Sequence, residues 1–362
     1  MKKTIRTLLS LSLLLLACCL TGCGDSKPVR LVKSELNQIR KLNEQTIRSF
    51  ISYADLVHSI SDQDPETDAA KAIQLFFQNF NYRVLSSSIA ENEATVNVEI
   101  ENIDAKALAK DLCLELIARS SSPTADSSPS EISYFSLLGN LLASGDYETT
   151  KTPAHFRLQK NGKDWEILSD EALEDQLVGG FISYLKDPEL VTPEEIIKKV
   201  FESLREQTPE EWVSYLGMSD IFSTYSSLYE KVDLALATQI SKCFSYRILF
   251  MADEGEKATA AIKVTSLDMD NVLDVYLERL LDYASTTEAV RATDTELADK
   301  TASLLAECLN SNTKTCARSI SIEFTNNGTT WEMCLNEDFT DALLGNMTEA
   351  VEKFQEEALP GN

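Results

Sequence analysis

The sequence contains very little histidine, with only His58 and His155 in 362 residues. General acid–base catalysis near neutral pH uses histidine more than any other side chain, and zinc sites use it often. The sequence also has no Cys-x-x-Cys pair, no Gly-x-Ser-x-Gly elbow and no glycine-rich phosphate loop. We therefore predict no catalytic residue, no cofactor and no metal ligand.

Basic side chains are scarce as well. The chain has 33 Lys and Arg against 58 Asp and Glu, a formal charge of −25. Such a chain repels nucleic acid and anionic lipid headgroups, so nucleic acid is not an expected partner. The acidic residues are spread along the chain, which favours a role in solubility; a cationic partner or divalent ions are the alternative. Beyond the N-terminal segment, no stretch is long and apolar enough to predict a transmembrane helix.

The N-terminal segment has the order of a processing signal. A basic start is followed by the apolar run Leu8–Leu16, which ends in Leu20-Thr21-Gly22-Cys23. This resembles the lipobox of bacterial lipoproteins. The resemblance implies removal of the signal peptide 1–22, a palmitate-type lipid on Cys23 and attachment to the extracytoplasmic face of the cell membrane, as on a Gram-positive cell surface. Residues 23–34 are interpreted as a polar tether. An ordinary secretory peptide with a chance cysteine is the alternative.

The remaining cysteines are odd in number. After Cys18 and Cys19 leave with the signal peptide and Cys23 is lipidated, five remain, which leaves disulfide pairing open. Cys308 and Cys316 are close enough in sequence to close a short loop. The alternative is that all five are buried small apolar residues. The five are Cys113, Cys243, Cys308, Cys316 and Cys334.

The rest of the sequence contains an internal duplication. Short motifs recur in the same order about 165 residues apart, which indicates two similar domains, 35–187 and 192–356. Two Pro-containing dipeptides at 187–188 and 192–193 mark the junction. The recurring motifs are Asn79–Leu85 with Cys243–Leu249, Asn161-Gly162 with Asn327-Gly328, Trp165-Glu166-Ile167 with Trp331-Glu332-Met333, and Gly179 with Gly345.

Each copy predicts helices, a hairpin, more helices, a second hairpin and a closing helix. Apolar residues at three- and four-residue spacing predict helices, and period-two alternation predicts strands. Asn-Gly is a strong hairpin signal because both residues tolerate positive φ. The predicted fold class is α+β, two tandem similar domains, each a four-stranded antiparallel curved sheet packed by helices. Predicted helices include Glu35–Ile60, Ala69–Phe77, Ala105–Arg119, Glu171–Leu185, Glu210–Ile240 and Glu337–Phe354; predicted strands include Tyr82–Ile89, Ala94–Ile103, Tyr246–Met251 and Ala258–Leu267.

The Tyr-Arg-Val/Ile-Leu strand, the Ala-Thr strand ending in Asp and the late Asn-Gly…Trp-Glu hairpin resemble uncharacterised bacterial lipoproteins with tandem nuclear-transport-factor-2-like domains. The resemblance implies a cone-shaped sheet around a cavity. The helix that closes each copy, and the long helical excursion inside it, depart from the simplest cone.

Several residues are candidates for a site. In a strand, neighbouring side chains point to opposite faces, so Tyr82 and Arg83 face apart, as do Tyr246 and Arg247. Either the Tyr or the Arg would then line a concave face and could contact a ligand. The plainer interpretation is a half-buried Tyr and an Arg that is paired on the sheet surface. Trp165 and Trp331 are more typical of core anchors than of ligand contacts. The recurring Asp104 and Asp268 are typical of helix N-caps. His155 alternates with Phe156 and Leu158 and should face solvent; His58 lies at the edge of a helix face.

The acidic run Asp62–Asp68 spaces acids as calcium loops do. However, Thr67 stands where such loops need glycine, and Ile73 stands where they need a bidentate Glu. A solvated acidic turn is therefore favoured over a calcium site.

The leading functional hypothesis is a membrane-tethered, non-enzymatic binding or interaction module with a small-molecule or protein ligand. The first alternative is a cone-fold enzyme with a carboxylate and Tyr in its pocket. The second is a transporter solute-binding lipoprotein, disfavoured because such proteins have parallel βαβ architecture.

Overall fold

The structure is a computed structural model that describes residues 25–52, 66–120, 134–217 and 230–358. These residues group into two compact units. The first unit contains described residues up to 109 together with 134–184, and the second contains 110–120 together with 185–358. Among the described residues, no helix combines the length and apolar character that a membrane span needs.

The first unit is a four-stranded antiparallel sheet with helices. The strands pair in chain order, β1-β2-β3-β4. Val96, Val98 and Ile100 of β2 are fully buried, while Thr95 and Asn97 face the other way, as predicted. The elements are α1 Lys27–Arg40, α2 Glu44–Phe50, α3 Glu66–Phe76, β1 Asn81–Ala90, β2 Glu93–Ile103, α4 Ala105–Ser120, α5 Tyr134–Ser144, β3 Thr149–Asn161, β4 Asp164–Leu168, α6 Glu171–Leu177 and α7 Phe181–Leu185. The end of α4, from residue 110, and the last residue of α7 are grouped with the second unit.

The second unit repeats this plan. Its sheet has the order β5-β6-β7-β8, again antiparallel throughout. Ala260, Ile262 and Val264 of β6 are fully buried against the helices. The elements are α8 Pro193–Arg205, α9 Pro209–Tyr215, α10 Glu230–Cys243, β5 Ser245–Asp253, β6 Lys257–Leu267, α11 Met269–Ala284, α12 Thr287–Arg291, α13 Asp294–Ser311, β7 Thr315–Asn326, β8 Trp331–Cys334, α14 Glu337–Leu343 and α15 Met347–Ala358.

The two sheets share their irregularities as well as their order. The pairing of β1 with β2 shifts at Leu85, and that of β5 with β6 shifts at Leu249, the equivalent residue. A β-bulge of this kind bends and twists an edge strand. The α+β class with two tandem four-stranded antiparallel sheets packed by helices is therefore confirmed.

The predicted tether and first helix need correction. Helix α1 begins at Lys27, with Pro28 in its first turn and Val29 and Val32 buried, so residues 27–34 belong to the folded unit. The single helix predicted over Glu35–Ile60 is also interrupted. Leu42 has a φ of 58°, which ends α1 and separates it from α2. The end of that prediction lies outside the described residues.

Three other predicted helices are shorter or divided. The helix predicted over Glu210–Ile240 ends at Tyr215 and resumes at Glu230, with 218–229 outside the described residues. The closing helix of each copy, by contrast, breaks at a glycine: Gly179 and Gly345 have φ of 68° and 76°. This left-handed conformation is disfavoured for L-residues with side chains and cannot continue a helix.

Candidate functional sites

The repeated tyrosines join a helix to the first strand of each sheet. The Tyr82 hydroxyl donates to the main-chain carbonyl oxygen of Lys33 in α1, at 3.2 Å. The Tyr246 hydroxyl donates to the carbonyl oxygen of Lys198 in α8, at 3.5 Å. Partial burial, with the nearby Glu202 carboxylate, raises the pKa of Tyr246. Both hydroxyls are thus committed to framework hydrogen bonds.

The repeated arginines lie on the solvent side of the sheets. Arg83 forms an ion pair with Glu99 across β1 and β2 at 3.2 Å, with its side chain 69% exposed. Lys151 reaches the same carboxylate from β3 at 3.6 Å. The exposed Arg247 is paired in register with Lys263 instead. The interpretation as a surface-paired arginine therefore fits Arg83, whereas Arg247 lies on the sheet surface opposite another cation.

His155 is exposed, as predicted. Its ring Nδ1 lies 2.8 Å from Oδ1 of Asn97, whose amide nitrogen donates to the Ser86 hydroxyl at 2.8 Å. The His155 main-chain N–H donates to the Gln176 side chain of α6 at 2.8 Å. This row of polar groups crosses three strands on an open sheet face, where water reaches every member. His58 and Asp62–Pro65 lie outside the described residues, so the possible calcium loop stays untested.

Asp104 and Asp268 are helix N-caps, as predicted. Asp104 accepts from the main-chain N–H of Ala107 at 3.0 Å, and Asp268 from that of Asn271 at 3.2 Å. Each cap satisfies a donor that the first turn of the helix leaves unpaired. Their recurrence in the sequence thus reflects the folding of α4 and α11.

The repeated tryptophans occupy equivalent places but different environments. Trp165 pairs with Lys160, and Trp331 pairs with Asn326, each just after its hairpin turn. Trp331 is buried, with 2% of its surface exposed, whereas Trp165 is only half-buried. The expectation that both fill equivalent buried sites is therefore wrong for Trp165, because its strand β4 packs less deeply.

One repeated feature and one unrepeated residue escaped the sequence analysis. Asp175 and Asp341 each receive a main-chain N–H from the start of the next helix, from Ser183 at 3.0 Å and Thr348 at 2.8 Å. The signal was present, since each aspartate stands four residues before the repeated glycine. The fully buried Trp212 of α9 was also missed; its ring lies 5.8 Å from that of Phe244. Trp212 has no counterpart in the first copy to mark it.

The five cysteines are all free thiols. Cys308 and Cys316 do not close the loop that their spacing allows. Burial raises the pKa of Cys113 to about 11 and also raises the pKa of Cys308. A thiol with a raised pKa has little of the reactive thiolate at neutral pH. Among the described residues, no group of three His, Cys, Asp or Glu side chains is placed to hold a metal ion.

Two adjoining clefts lie on the helical excursion of the second unit, and both are lined by Tyr283 of α11. One cleft, of about 460 Å³, is apolar. The other, of about 530 Å³, is lined mainly by charged side chains, including Glu288, Asp299 and Lys300. The ammonium group of Lys300 lies 5.7 Å from the centre of the Tyr283 ring. These clefts lie among helices rather than within a cone-shaped sheet.

No family model matches the chain. No curated protein matches it in sequence. Among solved structures, it is similar to the crystal structure of a "putative lipoprotein (ycdA)" from Bacillus subtilis subsp. subtilis str. 168, at 12% identity and a TM-score of 0.28. The match covers 74% of this chain and 94% of that one. A TM-score this low assigns neither a fold family nor a function to this chain.

Proposed function

We propose that this chain is a lipid-anchored protein of the bacterial envelope that acts as a non-enzymatic binding or interaction module. The lipid is attached to Cys23 after removal of residues 1–22, and the folded units lie on the extracytoplasmic side. The ligand is a small molecule or another protein. The observation that carries the proposal is that the polar residues shared by both copies are used to build the framework.

The shared tyrosines and aspartates each have a structural partner inside their own unit. The tyrosines hold a helix carbonyl, Asp104 and Asp268 cap helices, and Asp175 and Asp341 fix the turn at the repeated glycine. A duplicated enzyme needs a set of side chains aimed at a substrate in at least one copy. Duplication here preserved a scaffold, which favours surface recognition over catalysis.

The position of α1 supports a close membrane anchor. Because α1 begins at Lys27, only three residues lie between its start and Cys23. The four Cα–Cα steps from Cys23 to Lys27 span at most about 14 Å when fully extended. A lipid on Cys23 would therefore hold the first unit next to the membrane surface. Each buried methylene of an acyl chain contributes about 0.8 kcal/mol, and more than one chain gives stable anchoring.

The test is fractionation of cells that express the wild-type chain or Cys23→Ala, with incorporation of labelled palmitate. We expect wild type in the membrane fraction with label, and Cys23→Ala without label. His155→Ala serves as a matched control because it alters an exposed side chain of the folded unit and should leave both results unchanged. Labelled, membrane-bound Cys23→Ala protein would overturn the proposed anchor. Loss of an envelope phenotype in a stable His58→Ala, His155→Ala double variant would favour an enzyme instead.

A further inference from the structure

The helical excursion of the second unit exposes apolar side chains that have no evident role in folding. It consists of α11, α12 and α13, between β6 and β7. Helix α12 has five residues, none of them buried. Val290 on α12 is 82% exposed, and Leu281 at the end of α11 is 64% exposed. Side chains this apolar and this exposed are typical of an interaction surface when they are grouped.

These side chains do belong to one group. Both line the 460 Å³ apolar cleft, together with Leu277 and Leu280 of α11 and Leu297 of α13. The cleft thus has walls from three helices, with Val290 at its rim. An apolar cleft between helices is the usual receptor for the apolar face of an amphipathic helix, whose anchors recur at i, i+3 or i+4, and i+7.

The surroundings of the cleft are acidic. Between Met269 and Ser311 the sequence has nine carboxylates and three basic side chains. Asp270 and Asp274 form ion pairs with Lys353 of α15, and Glu307 forms one with Arg279. Six carboxylates remain outside these pairs, against Arg291 and Lys300. Carboxylates that face the adjoining cleft, Glu288, Glu296 and Asp299, share it with Arg291 and Lys300. The carboxylates of the whole excursion are Asp270, Asp274, Glu278, Asp282, Glu288, Asp294, Glu296, Asp299 and Glu307.

We propose that the apolar cleft between α11, α12 and α13 binds a cationic amphipathic helix of a partner protein. This rests on the proposed function, because it names the chemistry of the partner that the interaction module recognises. The apolar face of the partner covers Leu281 and Val290, and its basic face meets the carboxylates around the cleft. Charge disfavours two other occupants: a second copy of this chain carries the same negative surface, and a membrane with anionic headgroups is repelled.

The test uses the chain from Gly24 onward, which is unlipidated and retains every described residue. The probe is a fluorescent 18-residue peptide of leucine and lysine with an amphipathic helical pattern, and binding is followed by anisotropy. A second peptide has glutamate in place of every lysine. We expect the lysine peptide to bind and the glutamate peptide not to bind. We also expect binding of the lysine peptide to weaken as salt rises from 50 to 500 mM, because salt screens exposed charges.

The decisive comparison is between apolar variants. Val290→Asp and Leu281→Asp should each weaken binding at least ~10-fold, because each puts a charge where the apolar face of the peptide makes contact. The matched control is Leu249→Asp, which changes a 45% exposed leucine on β5 of the same unit. It should bind like the wild type, and circular dichroism should show all three variants folded. Because both test sites are exposed, loss of binding would not come from unfolding.

Equal binding by Val290→Asp and Leu249→Asp would overturn the proposal, since the attraction would then be general to an acidic protein. Self-association that Val290→Asp abolishes, seen by sedimentation, would assign the cleft to a second copy instead. Binding of wild type to anionic lipid vesicles, lost in Val290→Asp, would assign it to a membrane. None of these results bears on lipidation of Cys23, which is measured separately, so failure of the cleft and failure of the anchor are distinguishable.

Discussion

The hydroxyl of Tyr82 on the first strand donates to the main-chain carbonyl oxygen of Lys33, 3.2 Å away on the first helix. The second unit repeats this contact with Tyr246 and Lys198. The ring of Tyr246 also packs against that of Phe201 in α8, with centroids 4.9 Å apart. In both copies the tyrosine therefore fixes the angle at which the leading helix lies on the sheet.

We expect Tyr82→Phe and Tyr246→Phe each to destabilise the protein by about 1 kcal/mol, because one hydrogen bond is lost while the ring stays packed. Urea unfolding measures the change. Tyr184→Phe is the control, because the Tyr184 hydroxyl makes no hydrogen bond to another described residue. If Tyr82→Phe and Tyr246→Phe left the free energy of unfolding unchanged, the hydroxyls would be free for a ligand and the framework interpretation would be wrong.

The two tryptophans should differ in their contribution to stability. Trp331→Ala removes a fully buried ring, for which the expected loss is about 3–5 kcal/mol. Trp165→Ala removes a half-buried ring at the equivalent place in the first sheet, so it should cost less. Thermal or urea unfolding of the two variants checks this order. Equal losses would mean that the two hairpins pack alike, contrary to the observed burial.

Gly345 should tolerate no side chain. Its φ is 76°, and a Cβ there would meet the carbonyl oxygen of Leu267. Gly328 has a φ of 88° with open space around it, so Gly328→Ala suffers the conformational penalty alone, on the order of 1–3 kcal/mol. Gly345→Ala should be less stable than Gly328→Ala by at least ~1 kcal/mol, because backbone must also shift. The unfolding free energies of the two variants test this, and equal values would show that the turn can move.

The burial of Asp233 should make the stability of the protein depend on pH. It is buried at the start of α10, and burial, with the nearby Glu230, raises its pKa. A carboxyl with a raised folded pKa favours the folded state when protonated, and this advantage is lost as pH rises through that pKa. Asp233→Asn should therefore be more stable than wild type at pH 7. The difference should disappear below the unfolded pKa of about 3.9. A variant that is less stable at pH 7 would show that the charge is compensated.

The sequence predicted the sheets well because their signals are local. The alternation in β2 specifies which face of the strand is buried, and the Asn-Gly turns specify the hairpins. Because the sequence is duplicated, the same signals occur again in the second copy. In both turns the asparagine side chain also bonds a glutamate on the returning strand, Asn161 to Glu166 at 3.0 Å and Asn327 to Glu332 at 2.7 Å. Both glutamates belong to the recurring Trp-Glu motif, but the sequence did not indicate that they bond the turn asparagines.

The sequence predicted helix ends and burial poorly because these depend on tertiary contacts. The helical spacing of apolar residues continues through Leu42, Gly179 and Gly345, although a positive φ ends the helix at each of them. The difference between Trp165 and Trp331 depends on how deeply two short strands pack, which no local pattern encodes. The cleft of the second unit was equally hidden, because Leu281 and Val290 approach each other only when α12 folds back beside α11.

The most direct test of the central claim is mass spectrometry of the N-terminal peptide of the protein extracted from its native membrane with detergent. We predict that the chain begins at Cys23 and that this residue carries a thioether-linked diacylglycerol, which Cys23→Ala abolishes. An unmodified Cys23, or a mature chain that begins at another residue, would contradict the account of this protein as a lipid-anchored binding module.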